Sequence, residues 1–327
     1  MQCPQCAADI PDDDIFCEAC GVRVNTEADP AACSCGARST EIDDDGFCTR
    51  CGKRVRRPAS DRIEITLSPL CAAVCDRGKR HARNEDRAGA LQVGNSYALV
   101  ACDGVSASRE SELASGAVVA SVSESLSRAL SEGQAHDAQA LMRDAIAAAA
   151  ALLAAQAPHE GDDNPPSTTV AAALVADGYA TVGWVGDSRV YWINRDGARQ
   201  LTSDHSWMND VVSAGKMTAE EAGKAREAHA ITRWLGADAG ENAAPDTARI
   251  PVNEEGVLLL CTDGLWNYAP TPEEMTRLIH EANGEDGDAL TTARNLVHFA
   301  NEKGGQDNIT AIVLRWKPPA EEDQVTE

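Results

Sequence analysis

Apolar and polar positions change their rhythm repeatedly along this chain. Ile63 to Val74 alternates and then runs apolar, which predicts strands. Tyr97 to Cys102 is a continuous apolar run, the pattern of a buried strand, and it leads into Asp103-Gly104. Glu110 to Leu130 and Asp137 to Ala157 carry apolar residues at helical spacing. A polar, Pro-containing loop follows over Gly161 to Ser167. Thr168 to Val175, Tyr179 to Val185, Arg189 to Asn194 and Arg199 to Leu201 then read as a meander of short strands, with Asp196-Gly197 as a hairpin turn. Residues 207–227 read as helical. Gly256 to Cys261 is another buried strand, ending at Asp263-Gly264. Helices are predicted over 271–282 and 287–303, and a last strand over Asn308 to Trp316. Strands and helices come in groups, not in strict alternation. That predicts an α+β fold in which sheets pack together with helices outside.

The first 57 residues follow a different logic. Cys3-Pro4-Gln5-Cys6 is followed by Cys17-Glu18-Ala19-Cys20-Gly21; Cys33-Ser34-Cys35-Gly36 is followed by Cys48-Thr49-Arg50-Cys51-Gly52. Each half carries two Cys pairs about a dozen residues apart, the arrangement that brings four thiolates to one tetrahedral zinc ion. The spacing predicts two zinc ribbons and two structural Zn²⁺ ions, held by Cys3, Cys6, Cys17 and Cys20 and by Cys33, Cys35, Cys48 and Cys51. Cys33-x-Cys35 is one residue tighter than usual. Disulfides in a secreted module fit poorly, because Met1-Gln2-Cys3-Pro4 lacks the apolar core of a signal peptide. Neither ribbon has the apolar residues to fold alone, so metal should supply the folding energy. Domain boundaries follow: ribbons over 1–57, a linker over 58–62, a main domain over 63–317, and a disordered acidic tail over 318–327.

Charge narrows the partners. The net charge is −23. Residues 1–57 carry 7 Lys/Arg against 11 Asp/Glu, and the remainder 22 against 41. An acidic main domain argues against nucleic acid, which wants a basic face. It suits cations and basic peptide segments. The run Ala145 to Ala155 is shorter than the roughly 20 residues a membrane span needs. Cys71, Cys75, Cys102 and Cys261 lie scattered in apolar strands and read as small buried hydrophobes in a reducing compartment. The expected protein is a cytoplasmic monomer.

Five acidic motifs punctuate the strand ends: Asn84-Glu85-Asp86, Cys102-Asp103-Gly104, Gly186-Asp187-Ser188-Arg189, Thr262-Asp263-Gly264-Leu265-Trp266 and Asp307-Asn308. Strands converging at one rim can gather their carboxylates. A set of Asp and Glu without His or Cys suits hard, oxygen-loving ions such as Mg²⁺ or Mn²⁺. Two such ions side by side are a device for attacking phosphate esters. Any single Asp-Gly is explained equally well as a turn; the set in this order is not.

In that order the motifs resemble the type 2C family of metal-dependent serine/threonine protein phosphatases, over about residues 63–317. The tandem ribbon layout looks like bacterial members. The resemblance implies a four-layer α/β/β/α sandwich with a dinuclear Mn²⁺ or Mg²⁺ centre at one end, and a third, looser ion in bacterial members. Carried over residue by residue, Asp103 matches the carboxylate bridging both metals, and Gly104 the residue whose carbonyl reaches the second ion. Asp263 and Asp307 match the other carboxylates of the first metal. Glu85 and Asp86 match the acidic pair that binds the second metal or its waters. Asp187 matches a ligand of the third. The implied reaction is attack on a phosphoserine or phosphothreonine by a hydroxide bridging two metals, on protein substrates of a cognate kinase.

Two departures stand out. The family places a phosphate-binding Arg where this chain has His81, flanked by Arg80 and Arg83. Any of the three could take the phosphate, the arginines as bidentate forks. The usual x-Gly-Gly-His after Asp-Gly is Val105-Ser106-Ala107-Ser108 here, so the leaving group must take its proton elsewhere or leave more slowly. These departures keep open a second reading, a catalytically weak phosphoprotein-binding scaffold; the ribbons keep open a third, a zinc-ribbon nucleic-acid adaptor carrying a regulatory phosphatase, which the acidic balance disfavours. His205 and the pair Thr168-Thr169 match further family segments. His205 is a candidate contact near the flap beside the active site, and the Thr pair reads as strand packing. Trp266 reads as core.

Overall fold

The computed structural model describes residues 35–37, 47–53, 62–133, 135–155, 164–283 and 287–318. Cys3, Cys6, Cys17, Cys20 and Cys33, most of the linker and the tail lie outside the described residues. The chain divides into two compact units, Met1–Ser60 and Asp61–Glu327.

The second unit is built on two antiparallel sheets. In the first, the order is β1 (Arg62–Ser68), β2 (Cys71–Asp76), β13 (Ile309–Trp316), β12 (Gly256–Cys261), β8 (Arg189–Asn194) and β9 (Gly197–Gln200). In the second it is β11 (Asp246–Pro251), β7 (Tyr179–Val185), β6 (Val170–Ala176), β4 (Ser96–Cys102) and β3 (Arg87–Val93). A short pair joins β5 (Ser167–Thr168) to β10 (Leu235–Gly236).

The period-2 alternation of side chains decides what each strand residue touches. Leu258, Leu260, Ile312 and Leu314 meet Leu99, Ala101, Val182 and Trp184 between the sheets. Their neighbours Leu259, Cys261, Ala311 and Val313 face helices α6 (Pro272–Asn283) and α7 (Ala289–Glu302). On the other sheet Ala98, Val100 and Cys102 face α1 (Ser111–Ser131) and α2 (Ala138–Ala155). Central strands buried on both faces read as unbroken apolar runs, and the four layers are helix, sheet, sheet, helix. Composition and length alone would let α2 cross a membrane, but Met142, Ile146 and Ala149 are fully buried against the second sheet.

The remaining elements lie at the sheet ends. The 207–227 stretch forms two short helices, α3 (Trp207–Ser213) and α4 (Ala219–Ala222), and not one long helix. The latter starts at a capping box in which Thr218 and Glu221 satisfy each other's backbone amides. Helix α5 (Asp263–Trp266) is a single turn directly after β12.

Candidate active site

The acidic motifs collect at one pole of the sandwich. Asp103 follows β4, and Asn84-Glu85-Asp86 precedes β3; Arg87 and Cys102 are paired across those strands. On the other sheet Cys261 pairs with both Ala311 and Arg189. That register sets Asp263, Asp307 and Asp187 at the same end. Glu85, Asp86, Asp103, Gly104, Asp187, Asp263 and Asp307 are therefore gathered, as the strand ends predict.

Polar side chains fix this pole. Asn308 works as a staple: its Oδ1 accepts from the Glu85 amide at 2.7 Å, and its Nδ2 donates to the carbonyls of Arg77 at 2.8 Å and Arg83 at 2.9 Å. Thr310 and Thr262 donate their hydroxyls to Asp86 Oδ2 at 2.7 and 2.8 Å. Asp103 is bracketed by the Thr pair. Its amide donates to Thr169 Oγ1 at 3.1 Å, and its carbonyl accepts from the Thr168 hydroxyl and the Thr169 amide, both at 2.8 Å. The Thr pair thus does more than pack a strand. Gly264 is required by close approach, since a Cβ there would stand 1.9 Å from the Asn308 carbonyl oxygen. Gly104 forms a bridge to Thr168. Sequence reasoning took the carboxylates and passed over Asn308, Thr262 and Thr310, although Asn308 and Thr262 sit inside the quoted motifs and Thr310 stands two residues beyond the last of them.

The electrostatics call for positive charge. Burial, then the hydroxyl donors that oppose it, then Asp307 and Asp263 set the Asp86 carboxyl at about 8. Burial and the neighbouring Asp307 raise Asp263 to about 6. Asp103 is pushed well above the carboxylate range by burial and by Asp86, Asp263, Asp307 and Asp187. Burial and Asp263 do the same to Asp187. Asp86 Oδ1 and Asp263 Oδ1 are buried without any hydrogen-bond partner. Buried carboxylates that repel one another and keep oxygens unused are what a divalent, oxygen-preferring cation would satisfy, so the donor set fits Mg²⁺ or Mn²⁺.

The candidate phosphate-binding residues separate. His81 Nε2 lies 3.1 Å from Asp307 Oδ1, at the acidic pole. Arg83 is tied to Glu112 of α1 at 2.8 Å, and Arg80 is exposed. The replaced loop also reaches the pole: Ser106 Oγ donates to Glu85 Oε2 at 2.9 Å. Trp266 is core, as read, and its Nε1 donates to the Asp187 carbonyl at 3.0 Å. Arg189 is buried, stacked 3.6 Å above the Trp266 ring. One local reading is corrected. His205 is not placed for substrate contact. It is buried, with Nδ1 accepting from the Gly186 amide and Nε2 against Asp246.

In the first unit the Sγ atoms of Cys35, Cys48 and Cys51 lie within 4.8 Å of one another. The Cys35 and Cys48 sulfurs are 3.6 Å apart, near the edge of about 3.8 Å that a Zn–S tetrahedron implies. Cys71, Cys75, Cys102 and Cys261 are fully buried, as expected; burial pushes the Cys71 and Cys75 thiols up to about 12.

Known proteins agree with this geometry. Residues 3–60 match the double zinc ribbon family. The serine/threonine phosphatase stp of Listeria welshimeri is 30% identical over 241 residues, which is 73% of this chain and 92% of that protein. The crystal structure of the serine/threonine phosphatase Stp1 from Staphylococcus aureus superposes with a TM-score of 0.65 at 29% identity, over 78% of this chain and 98% of the other. The catalytic domain of the serine threonine protein phosphatase PstP, solved with 2 manganese ions, gives 0.59 at 29% identity over 75% and 96%. Residues 77–299 match protein phosphatase 2C; with the carboxylate pole on the four-layer sandwich, this chain belongs to that family of serine/threonine phosphatases.

Proposed function

We propose that this phosphatase hydrolyses phosphoserine and phosphothreonine in proteins at a dinuclear Mn²⁺ or Mg²⁺ centre held by the carboxylate pole, with a third, looser ion at Asp187. The observation that carries the reading is the set of mutually repelling, buried carboxylates with partnerless oxygens on Asp86 and Asp263. Asp103, which feels the charge of all four other aspartates, is suited to lie between two ions. Asp263 and Asp307 complete one side; Glu85, Asp86 and the Gly104 carbonyl serve the other. Two ions there would acidify a shared water toward neutrality and offset the phosphate charge.

The protein's own residues do the rest. Asn308, Thr262, Thr310 and Thr169 hold the carboxylates in place without supplying charge. His81, against Asp307, is set to meet the substrate phosphate in place of the family's arginine, with exposed Arg80 beside it. Arg83 is committed to Glu112 and holds the turn. The zinc reading extends to two structural ions in the first unit, one of them on Cys35, Cys48, Cys51 and Cys33. Buried thiols suit a reducing cytoplasm, and the substrates are targets of a cognate serine/threonine kinase.

Phosphate release from a phosphothreonine peptide, measured with Mn²⁺ and with a chelator, tests the reading. It predicts turnover that requires Mn²⁺ and falls at least about 100-fold in Asp263→Asn, the scale on which a lost charge stabiliser acts. Peptide binding without turnover at saturating Mn²⁺ would favour a scaffold instead.

A further inference from the structure

The motif Gly186-Asp187-Ser188-Arg189 is held at both ends by one dipeptide outside all five motifs. At its far end, Arg189 donates from Nε and Nη2 to both carboxylate oxygens of Asp204, at 3.0, 3.1 and 2.6 Å. Its Nη1 donates to Tyr191 Oη at 3.0 Å and to the Pro270 carbonyl at 3.1 Å. All three guanidinium nitrogens are therefore engaged within the fold. At the near end, His205 takes both sides of Gly186. Its amide donates to the Gly186 carbonyl at 2.9 Å, and its Nδ1 accepts from the Gly186 amide at 3.0 Å.

That second bond fixes the ring. With Nδ1 an acceptor, the imidazole proton sits on Nε2 and is donated to Asp246 Oδ2 at 2.9 Å. Trp184 stacks on the imidazole, centroids 6.2 Å apart, and anchors its own Nε1 on the Ser203 carbonyl. Gly186 has φ +104 and its Cβ position lies 2.6 Å from Thr169, so the turn has no slack to find another partner. Between the two grips lies Asp187, and Trp266 holds its carbonyl from a third side.

We infer that Asp204 and His205 are positioning residues for the Asp187 carboxylate: they aim it by gripping the turn on either side, without touching substrate or metal. This rests on the metal role of Asp187 proposed above. Partners one step removed from a metal ligand are commonly worth 10- to 100-fold in affinity, and a buried amide left without its acceptor gives that effect a source.

The test is a Mn²⁺ titration by calorimetry, with turnover measured alongside, on the full chain. Asp187→Asn should weaken the loosest Mn²⁺ site. His205→Ala should weaken the same site about 10-fold, with most turnover regained at saturating Mn²⁺. In the double variant His205→Ala should add no further loss, because the carboxylate it aims is gone. Asn at 205 can put an oxygen where Nδ1 stands, and Gln cannot. His205→Asn should therefore bind Mn²⁺ as the wild type does and His205→Gln should not, which keeps the comparison open if the Ala variant does not fold. An equal loss in the Asp187→Asn and wild-type backgrounds, or equal binding by the Asn and Gln variants, would overturn the positioning role. An unchanged titration in Asp187→Asn alone would overturn the metal role itself, and the inference with it.

Discussion

Asp86 shows how a single residue carries both the fold and the chemistry. It is fully buried, one oxygen satisfied by two threonine hydroxyls and the other by nothing. Burial pushes its folded-state pKa up to about 8, far above the ordinary carboxylate value of 3.8. A carboxyl raised in this way binds its proton more tightly in the folded chain than in the unfolded one. Its penalty on stability is absent below the unfolded pKa and complete above the folded one. The metal-free protein should therefore lose melting temperature as pH rises from about 4 to about 8, and Mn²⁺ should restore more of it at pH 8 than at pH 5. Asp86→Asn, melted without metal across the same range, should show a flatter profile. A wild-type profile that rises steadily with pH in the absence of metal would contradict the assignment.

Elements set where those residues stand. The two strand ends that matter most, Cys261 of β12 and Ile309 of β13, are pinned by an antiparallel register and by Gly264 packed on the Asn308 carbonyl. Gly264→Ala forces that contact apart. It should cost roughly 3 kcal/mol, the upper range for overpacking, read as a fall of roughly 6–12 °C in melting temperature. Much of this level was legible in the chain. Unbroken apolar runs marked the central strands, helical spacing marked α1 and α2, and the strand-end position of each acidic motif implied a shared pole. Strands β3 and β11 were not legible. Arg87 to Val93 and Asp246 to Pro251 are half-buried edge strands whose mixed side chains give no clear alternation. Nor was the role of His205, because its partners Gly186 and Asp246 are contacts across the fold, which no local pattern encodes.

At the scale of the whole molecule, the metals proposed for the two units differ because their donor atoms differ. Thiolates at tetrahedral-edge spacing in Met1–Ser60 call for zinc, and oxygen donors in Asp61–Glu327 call for Mn²⁺ or Mg²⁺. Elemental analysis should find about two zinc ions per chain, and Cys48→Ser should lower that content by one while leaving the Mn²⁺ titration of the carboxylate pole unchanged. The central claim is that the gathered carboxylates exist to hold the ions that hydrolyse the phosphoester. The most direct measurement is Mn²⁺ binding by calorimetry and phosphothreonine-peptide turnover on the same samples of wild type and Asp103→Asn. The account predicts that both collapse together in the variant, with its fold intact by circular dichroism. Wild-type turnover in a variant that no longer binds Mn²⁺, or wild-type Mn²⁺ binding in Asp103→Asn, would contradict it.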